Sequence, residues 1–332
     1  MRAVCAAGDG LRVAAVGQTA YEADASALRT VWTDVCGRRM HAVAIGEGVP
    51  VVLVHGYGVS GAYMLPLARS LAGSCSAFVP DLPGQGKSDQ LSGAVSLGEH
   101  ADSLGAWVEA NELVRPAFVA NSMGCQVLTE LAVRRPEQVG PMVLVGPTVD
   151  PARRGRRHQL FSALRDSARE PLSLIALAAR DDLAAGPRVL LSTARAVLAD
   201  RIEARLPSIE QPTVVVHGDQ DAFVGREWAE QVAMLLPRGR LQVVPGEPHA
   251  VHYTRPELVA ALVRELLVEE GEHRVGQLPR SLEHRHVAAL EVGEPGVGQR
   301  LAPLLRDVER HEPVALAPDE QGRGVDRRQL GS

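Results

Sequence analysis

Short, unbroken apolar runs recur along the chain, each bounded by Gly, Pro or Asp. They fall at residues 51–54, 77–80, 117–120, 142–145, 213–216 and 241–244. Continuous runs of this length suit strands covered on both faces, as in a parallel sheet, because strands with one wet face alternate apolar and polar residues. Between several of these runs lie stretches with apolar residues at helical spacing: 62–71, 100–110, 126–134 and 227–236. Strand–helix alternation predicts a mostly parallel, doubly wound α/β sheet. Ahead of it, residues 30–35 and 40–45 flank a Gly37-Arg-Arg turn and read as an antiparallel hairpin at the sheet edge.

Two regions break this rhythm. From Pro147 to about Pro207 there is no strand pattern, only helical spacing rich in Ala, Leu and Arg. That is too long for a simple crossover and reads as a small helical insertion. From Glu269 onward no aromatic residue occurs, while Gly, Pro, His, Arg and Glu are plentiful. A segment with so little to bury is expected to be disordered or weakly helical. The chain thus divides into an N-terminal core part (1–146), an insertion (147–208), a C-terminal core part (209–268) and a tail (269–332).

Composition narrows the class. Hydrophobic residues at 45% and charged residues at 23% are ordinary for a globular protein, and a net charge of -5 argues against a nucleic-acid-binding surface. No apolar run approaches the roughly 18 residues that span a bilayer. The N-terminus reads as neither a signal peptide nor an anchor. Cys5, Cys36, Cys75 and Cys125 are scattered without CxxC spacing, so neither a disulfide framework nor a zinc site is expected. The resulting picture is a cytoplasmic protein with reduced thiols, acting on a small molecule, with no metal, cofactor, nucleic-acid or membrane partner.

The candidate chemistry begins at Ser122, where the apolar run 117–120 gives way to helix formers in Asn121-Ser-Met-Gly-Cys-Gln126. Serine there could simply cap the helix. It could also be a nucleophile on the strained turn of the G-x-S-x-G elbow. Ala120-Asn-Ser122-Met-Gly124 keeps the second glycine of that pattern and has alanine at the first. A serine hydroxyl needs a base, and the base needs a carboxylate to fix its tautomer. Past the run 213–216 stands His217-Gly-Asp219-Gln-Asp221, and past 241–244 stands Pro245-Gly-Glu-Pro-His249. The order Ser, acid, His, each just beyond a strand, fits the elbow arrangement.

These segments resemble the α/β-hydrolase family over about residues 30 to 268. Two further motifs are similar: His55-Gly-Tyr-Gly58 looks like its oxyanion loop, and Asp81-Leu-Pro-Gly-Gln-Gly-Lys-Ser88 like its D-x-P-G-x-G-x-S turn. The resemblance implies Ser122 as nucleophile, His249 as general base and then acid, and Asp221 as orienting carboxylate, third after Gly218 in G-x-x-D. It implies backbone N–H groups of Tyr57 and Met123 as the oxyanion hole. Asp219 is the rival acid, with a plainer role as a turn residue; His252 is the rival base, with a plainer role as an exposed helix residue. Gly84–Ser88 ends like a phosphate loop, but Asp81 stands where that motif needs its first glycine.

In the family's plan the insertion follows the sixth strand and forms a helical cap above the nucleophile. Leu160, Phe161, Leu164, Leu174, Ile175 and Leu177 are then candidates for the roof of an apolar pocket. The run Arg153-Arg-Gly-Arg-Arg157 reads as a solvated face, or as a contact for an anionic substrate. Such a site implies acyl transfer from a small ester or related substrate through an acyl-enzyme. Asn121-Ser-Met-Gly124 is also similar to the N-S-M-G of hydrolases that split carbon–carbon bonds of ring-cleavage products. Ala120 and Cys125, however, replace flanking glycines of that branch. A non-catalytic ligand-binding protein on the same fold is the third reading.

Overall fold

The structure, a computed structural model, describes residues 27–90, 96–155, 162, 165 and 169–276, with side chains to residue 271. Eight strands form one sheet: β1 (Arg29–Val35), β2 (Arg38–Ile45), β3 (Val49–Val54), β4 (Cys75–Pro80), β5 (Ala117–Asn121), β6 (Met142–Val145), β7 (Thr213–Gly218) and β8 (Gly239–Val244). Their order is β1-β2-β4-β3-β5-β6-β7-β8. Pairs β1–β2 and β2–β4 are antiparallel and the rest are parallel.

The hairpin is tighter than its sequence suggested. Cys36 (φ 50°) and Gly37 (φ 76°) make the whole turn, and Arg38 and Arg39 already pair with Val35 and Asp34. Two residues of positive φ match the twist of the flanking strands, whereas a two-residue turn of negative φ would splay them.

The helices are α1 (Leu65–Leu71), α2 (Leu97–Ala110), α3 (Met123–Arg134), α4 (Leu172–Ala199), α5 (Arg226–Leu235), α6 (Val251–Thr254) and α7 (Pro256–Gly276). Helix α2 starts three residues before its apolar pattern because Ser96 and Glu99 form a reciprocal capping box. The unbroken apolar strands are explained by two cores. Val52, Val54, Phe118 and Leu144 pack with Trp107, Leu128 and Trp228 on one face. Val51, Leu53, Val119 and Val214 pack with Leu67, Leu71 and Val263 on the other. Each fully buried Val or Leu contributes about 1.5–3 kcal/mol, so both faces stabilise the sheet that carries the site.

The connection from β6 to β7 holds the insertion. Helix α4 is broken at Gly186 (φ 78°, ψ 159°), just before Pro187. Proline supplies no N–H and clashes with the preceding turn, so two helical halves meet there at a kink. Expected roof residues Leu160, Phe161 and Leu164 lie outside the described residues.

The boundary expected at 268 falls within α7, which continues to Gly276. Its last turns are held by charge: Glu269 lies 2.8 Å from Arg240 and Glu270 3.6 Å from Arg238, both arginines flanking or on β8. Residues 277–332 lie outside the described residues, as does Cys5. Cys36, Cys75 and Cys125 are not in disulfides. Among the described residues no helix is long and apolar enough to cross a membrane.

Candidate active site

Strand β5 is buried to its last residue and delivers Ser122 at φ 54° and ψ -119°, outside the regions a non-glycine residue ordinarily adopts. Such a conformation persists only where the surroundings enforce it. The Ser122 N–H donates to Val145 O at 3.0 Å, and α3 starts at the next residue. The turn requires Gly124, since a Cβ there would sit 2.6 Å from Val54 O and 2.7 Å from His55 O. Ala120 causes no conflict, because its methyl lies inside the core. Ser122 makes no side-chain capping bond to α3, so the capping role is not the one it plays.

Asp221 follows β7 by three residues and its side chain is fully buried. Its Oδ1 accepts the N–H groups of Phe223 (2.8 Å) and Val224 (2.9 Å), and its Oδ2 lies 2.7 Å from His249 Nδ1. The carboxylate is thereby fixed in direction. The Phe223 ring packs against His249 with centroids 4.9 Å apart. Gly146 is the residue the sequence reading missed here: a Cβ on it would be 2.7 Å from His249 Nδ1 and 3.2 Å from Asp221 Oδ2. Only the absence of a side chain at the end of β6 lets the pair approach.

The rivals fall elsewhere. Asp219 Oδ1 accepts the Gly246 N–H at 2.6 Å, clasping the loop of Asp221 to that of His249. His252 is not an exposed helix residue; it is fully buried, edge-on to Tyr63 with centroids 4.4 Å apart. Burial, and then the nearby His249, push its pKa down to about 3, so it is a neutral packing group.

The loop after β3 crosses close to the elbow. A Cβ on Gly56 would stand 3.2 Å from Ser122 Cβ and 3.1 Å from Asn121 Oδ1. Met123, the first residue of α3, has its N–H outside the helix ladder, as any first-turn residue does. The loop is held from below by His55. Its Nε2 accepts the Leu82 N–H at 3.0 Å, which leaves the proton on Nδ1 to donate to Gly56 O at 2.9 Å. Burial lowers the pKa of His55, in keeping with that neutral form.

The turn at 81–88 wraps a carboxylate instead of a phosphate. Asp81 Oδ1 accepts the Gly61 N–H (2.7 Å), and Oδ2 accepts the Lys87 N–H (2.9 Å) and meets His41 Nδ1 (2.8 Å). Burial alone would raise its pKa; the bonds from His41 and Lys87 outweigh that and hold it below the usual value.

The cap rests on the loop after β3. Asp181 Oδ2 accepts the Ser60 N–H at 2.8 Å, and Tyr57 donates its hydroxyl to Leu190 O at 3.1 Å, one contact from each half of α4. Burial, then Asp182, raises the pKa of Tyr57. Beneath the cap is a cavity of about 340 Å³ lined by Ser122, His249, Tyr57, Thr148 and Glu170 among apolar residues. Leu174 and Ile175 line it as expected, joined by Ala178, Ala194 and Val197. Leu177 packs on the core instead. Arg154 is engaged by Glu203 at 2.9 Å and Arg153 by Asp150 at 3.3 Å; Arg156 and Arg157 lie outside the described residues. Among the described residues no group of His, Cys, Asp and Glu could hold a metal ion.

The sequence matches the alpha/beta hydrolase family over residues 51–262. The chain belongs to that family, and it is a hydrolase of the carboxylesterase type. It is 28% identical to the pimeloyl-[acyl-carrier protein] methyl ester esterase of Aromatoleum aromaticum, with 65% of this chain and 97% of that protein covered. It is 29% identical to polyketide synthase ThaQ of Burkholderia thailandensis, where 70% of this chain covers only 12% of that far longer protein. Among solved structures it is similar to Est816, described as an N-acyl homoserine lactone degrading enzyme. The TM-score there is 0.60 at 25% identity, with 71% of this chain and 99% of that one covered.

Proposed function

We propose that the protein hydrolyses a small carboxylic ester through an acyl-enzyme on Ser122. The observation that carries this reading is the 2.7 Å contact of Asp221 Oδ2 with His249 Nδ1, in a cavity shared by His249 and the strained Ser122. With Nδ1 turned to the carboxylate, Nε2 is the nitrogen left to take the Ser122 proton. Oγ then attacks the ester carbonyl, and the oxyanion is received by the N–H groups of Tyr57 and Met123. Each such donor is worth about 2.7–4 kcal/mol in comparable sites. His249 returns the proton to the departing alcohol, and water repeats the sequence to release the acid. No metal or organic cofactor enters these steps.

The walls bear on the substrate. A cavity of about 340 Å³ walled mostly by apolar side chains, aliphatic and aromatic, is at the small end of ligand pockets and suits an apolar acyl chain of modest length. A relative named as a methyl ester esterase supports an ester-type bond.

Turnover of a p-nitrophenyl ester series by the pure protein, beside Ser122→Ala and a fluorophosphonate probe, tests the reading. The expected result is labelling of Ser122 alone and loss of activity on the order of 10⁶-fold in the variant. Activity within tenfold of wild type, or labelling elsewhere, overturns it. Faster turnover of a ring-cleavage diketone than of any ester moves the assignment to carbon–carbon cleavage.

A further inference from the structure

The sheet order places two loops on opposite sides of the nucleophile. Ser122 follows β5; the oxyanion loop follows its neighbour β3, whereas Gly146-Pro-Thr148 follows its other neighbour β6, towards β7 and β8, which carry Asp221 and His249. Thr148 is buried, lines the cavity, and brings Oγ1 to 3.5 Å from Ser122 Oγ. Its segment is fixed from behind, since Trp228 Nε1 donates to Pro147 O at 2.9 Å. A tetrahedral carbon on Ser122 Oγ must direct its oxyanion to the β3 side. Its leaving group, and later the attacking water, therefore occupies the β6 side, where the Thr148 hydroxyl already stands within reach of Ser122 Oγ.

We propose that Thr148 Oγ1 positions the water that attacks the acyl-enzyme. The water gives one proton to His249 Nε2 as its oxygen bonds to the acyl carbon, and its second O–H donates a hydrogen bond to Thr148 Oγ1. Collapse then breaks the Ser122 Oγ–carbon bond, the proton on His249 passes to Oγ, and the free acid leaves. Thr148 holds the water but exchanges no proton with it. The arrangement favours water, with two protons to offer, over an alcohol with one, so the same hydroxyl biases the enzyme to hydrolysis over acyl transfer.

The proposal rests on the acyl-enzyme reading, and the two fail differently. The test is Thr148→Val, which keeps the shape and removes the hydroxyl, with p-nitrophenyl acetate followed by stopped flow and by mass spectrometry of the intact protein. Deacylation is expected to slow about tenfold, the worth of one ordinary hydrogen bond, with acylation changed far less, so that acetylated Ser122 accumulates. Added methanol should capture a larger share of acetyl groups than in wild type, and Thr148→Ser should restore most of the rate. Thr148→Ala must slow deacylation in the same way, which guards against a packing fault peculiar to valine. Acetylated Ser122 with an unchanged deacylation rate, or equal slowing of both steps that serine does not rescue, overturns the role of Thr148 alone. Absence of acetyl-Ser122 in wild type and variants alike overturns both readings.

Discussion

Asp219 and Asp221 stand two residues apart on one loop, yet their carboxylates do different work. Asp221 Oδ2 meets His249 Nδ1 at 2.7 Å, while Asp219 Oδ1 takes the Gly246 N–H at 2.6 Å. One faces the imidazole and the other fastens the loop that carries it. Asp221→Asn should therefore lower kcat by about 10⁴, the loss seen when a triad's orienting acid becomes an amide. Asp219→Asn, which removes a charge but keeps an acceptor oxygen, should retain activity within about tenfold, one ordinary hydrogen bond at most. Steady-state kinetics of the two variants side by side decide this. A larger loss in Asp219→Asn would assign the acid to the wrong carboxylate.

Gly146 sits at φ 55° with no room for a side chain beside His249 and Asp221. In Gly146→Ala the left-handed backbone costs about 1–3 kcal/mol, and the new methyl displaces the imidazole from its carboxylate. A melting point lowered by a few degrees with turnover reduced at least a hundredfold is the expected result. Full activity in a folded variant would show that the pair tolerates displacement.

Stability should depend on pH through buried neutral histidines. The pKa of His252 falls to about 3 in the folded protein, chiefly by burial, against 6.5 for an ordinary imidazole. Between those values the unfolded chain binds the proton and the folded chain does not. The stabilisation is thus complete above about pH 6.5 and is lost as pH falls towards 3. Each such histidine adds a slope of up to about 1.4 kcal/mol per pH unit. His252→Phe, which keeps a ring against Tyr63, should flatten the dependence measured by urea unfolding across the middle of that window. An unchanged slope would mean that His252 is protonated in the folded state.

Ala178 lines the cavity from the first half of α4. Ala178→Leu fills part of a space of about 340 Å³ and should depress turnover of hexanoyl esters well below that of acetyl esters. A chain-length series measured on both proteins checks this. Uniform loss across the series would place the acyl chain in another part of the cavity.

Much of this was legible in the chain itself. Unbroken apolar runs determined a sheet buried on both faces, because alternate side chains of one strand feed two cores, as Val51 and Val52 do. The spacing of Ser122, Asp221 and His249 marked three strand ends, since local backbone demands place small and polar residues there. Other features arise only where distant segments meet, and local sequence carries no signal for that. Gly146 is glycine because a histidine more than a hundred residues later needs its space. Thr148 faces Ser122 because β5 and β6 are neighbours in the sheet. His252 is buried because α6 packs against α1 and α7, where a four-residue helix offers no periodicity to read. Strand order, a long-range choice of partners, decided which side chains share the cavity.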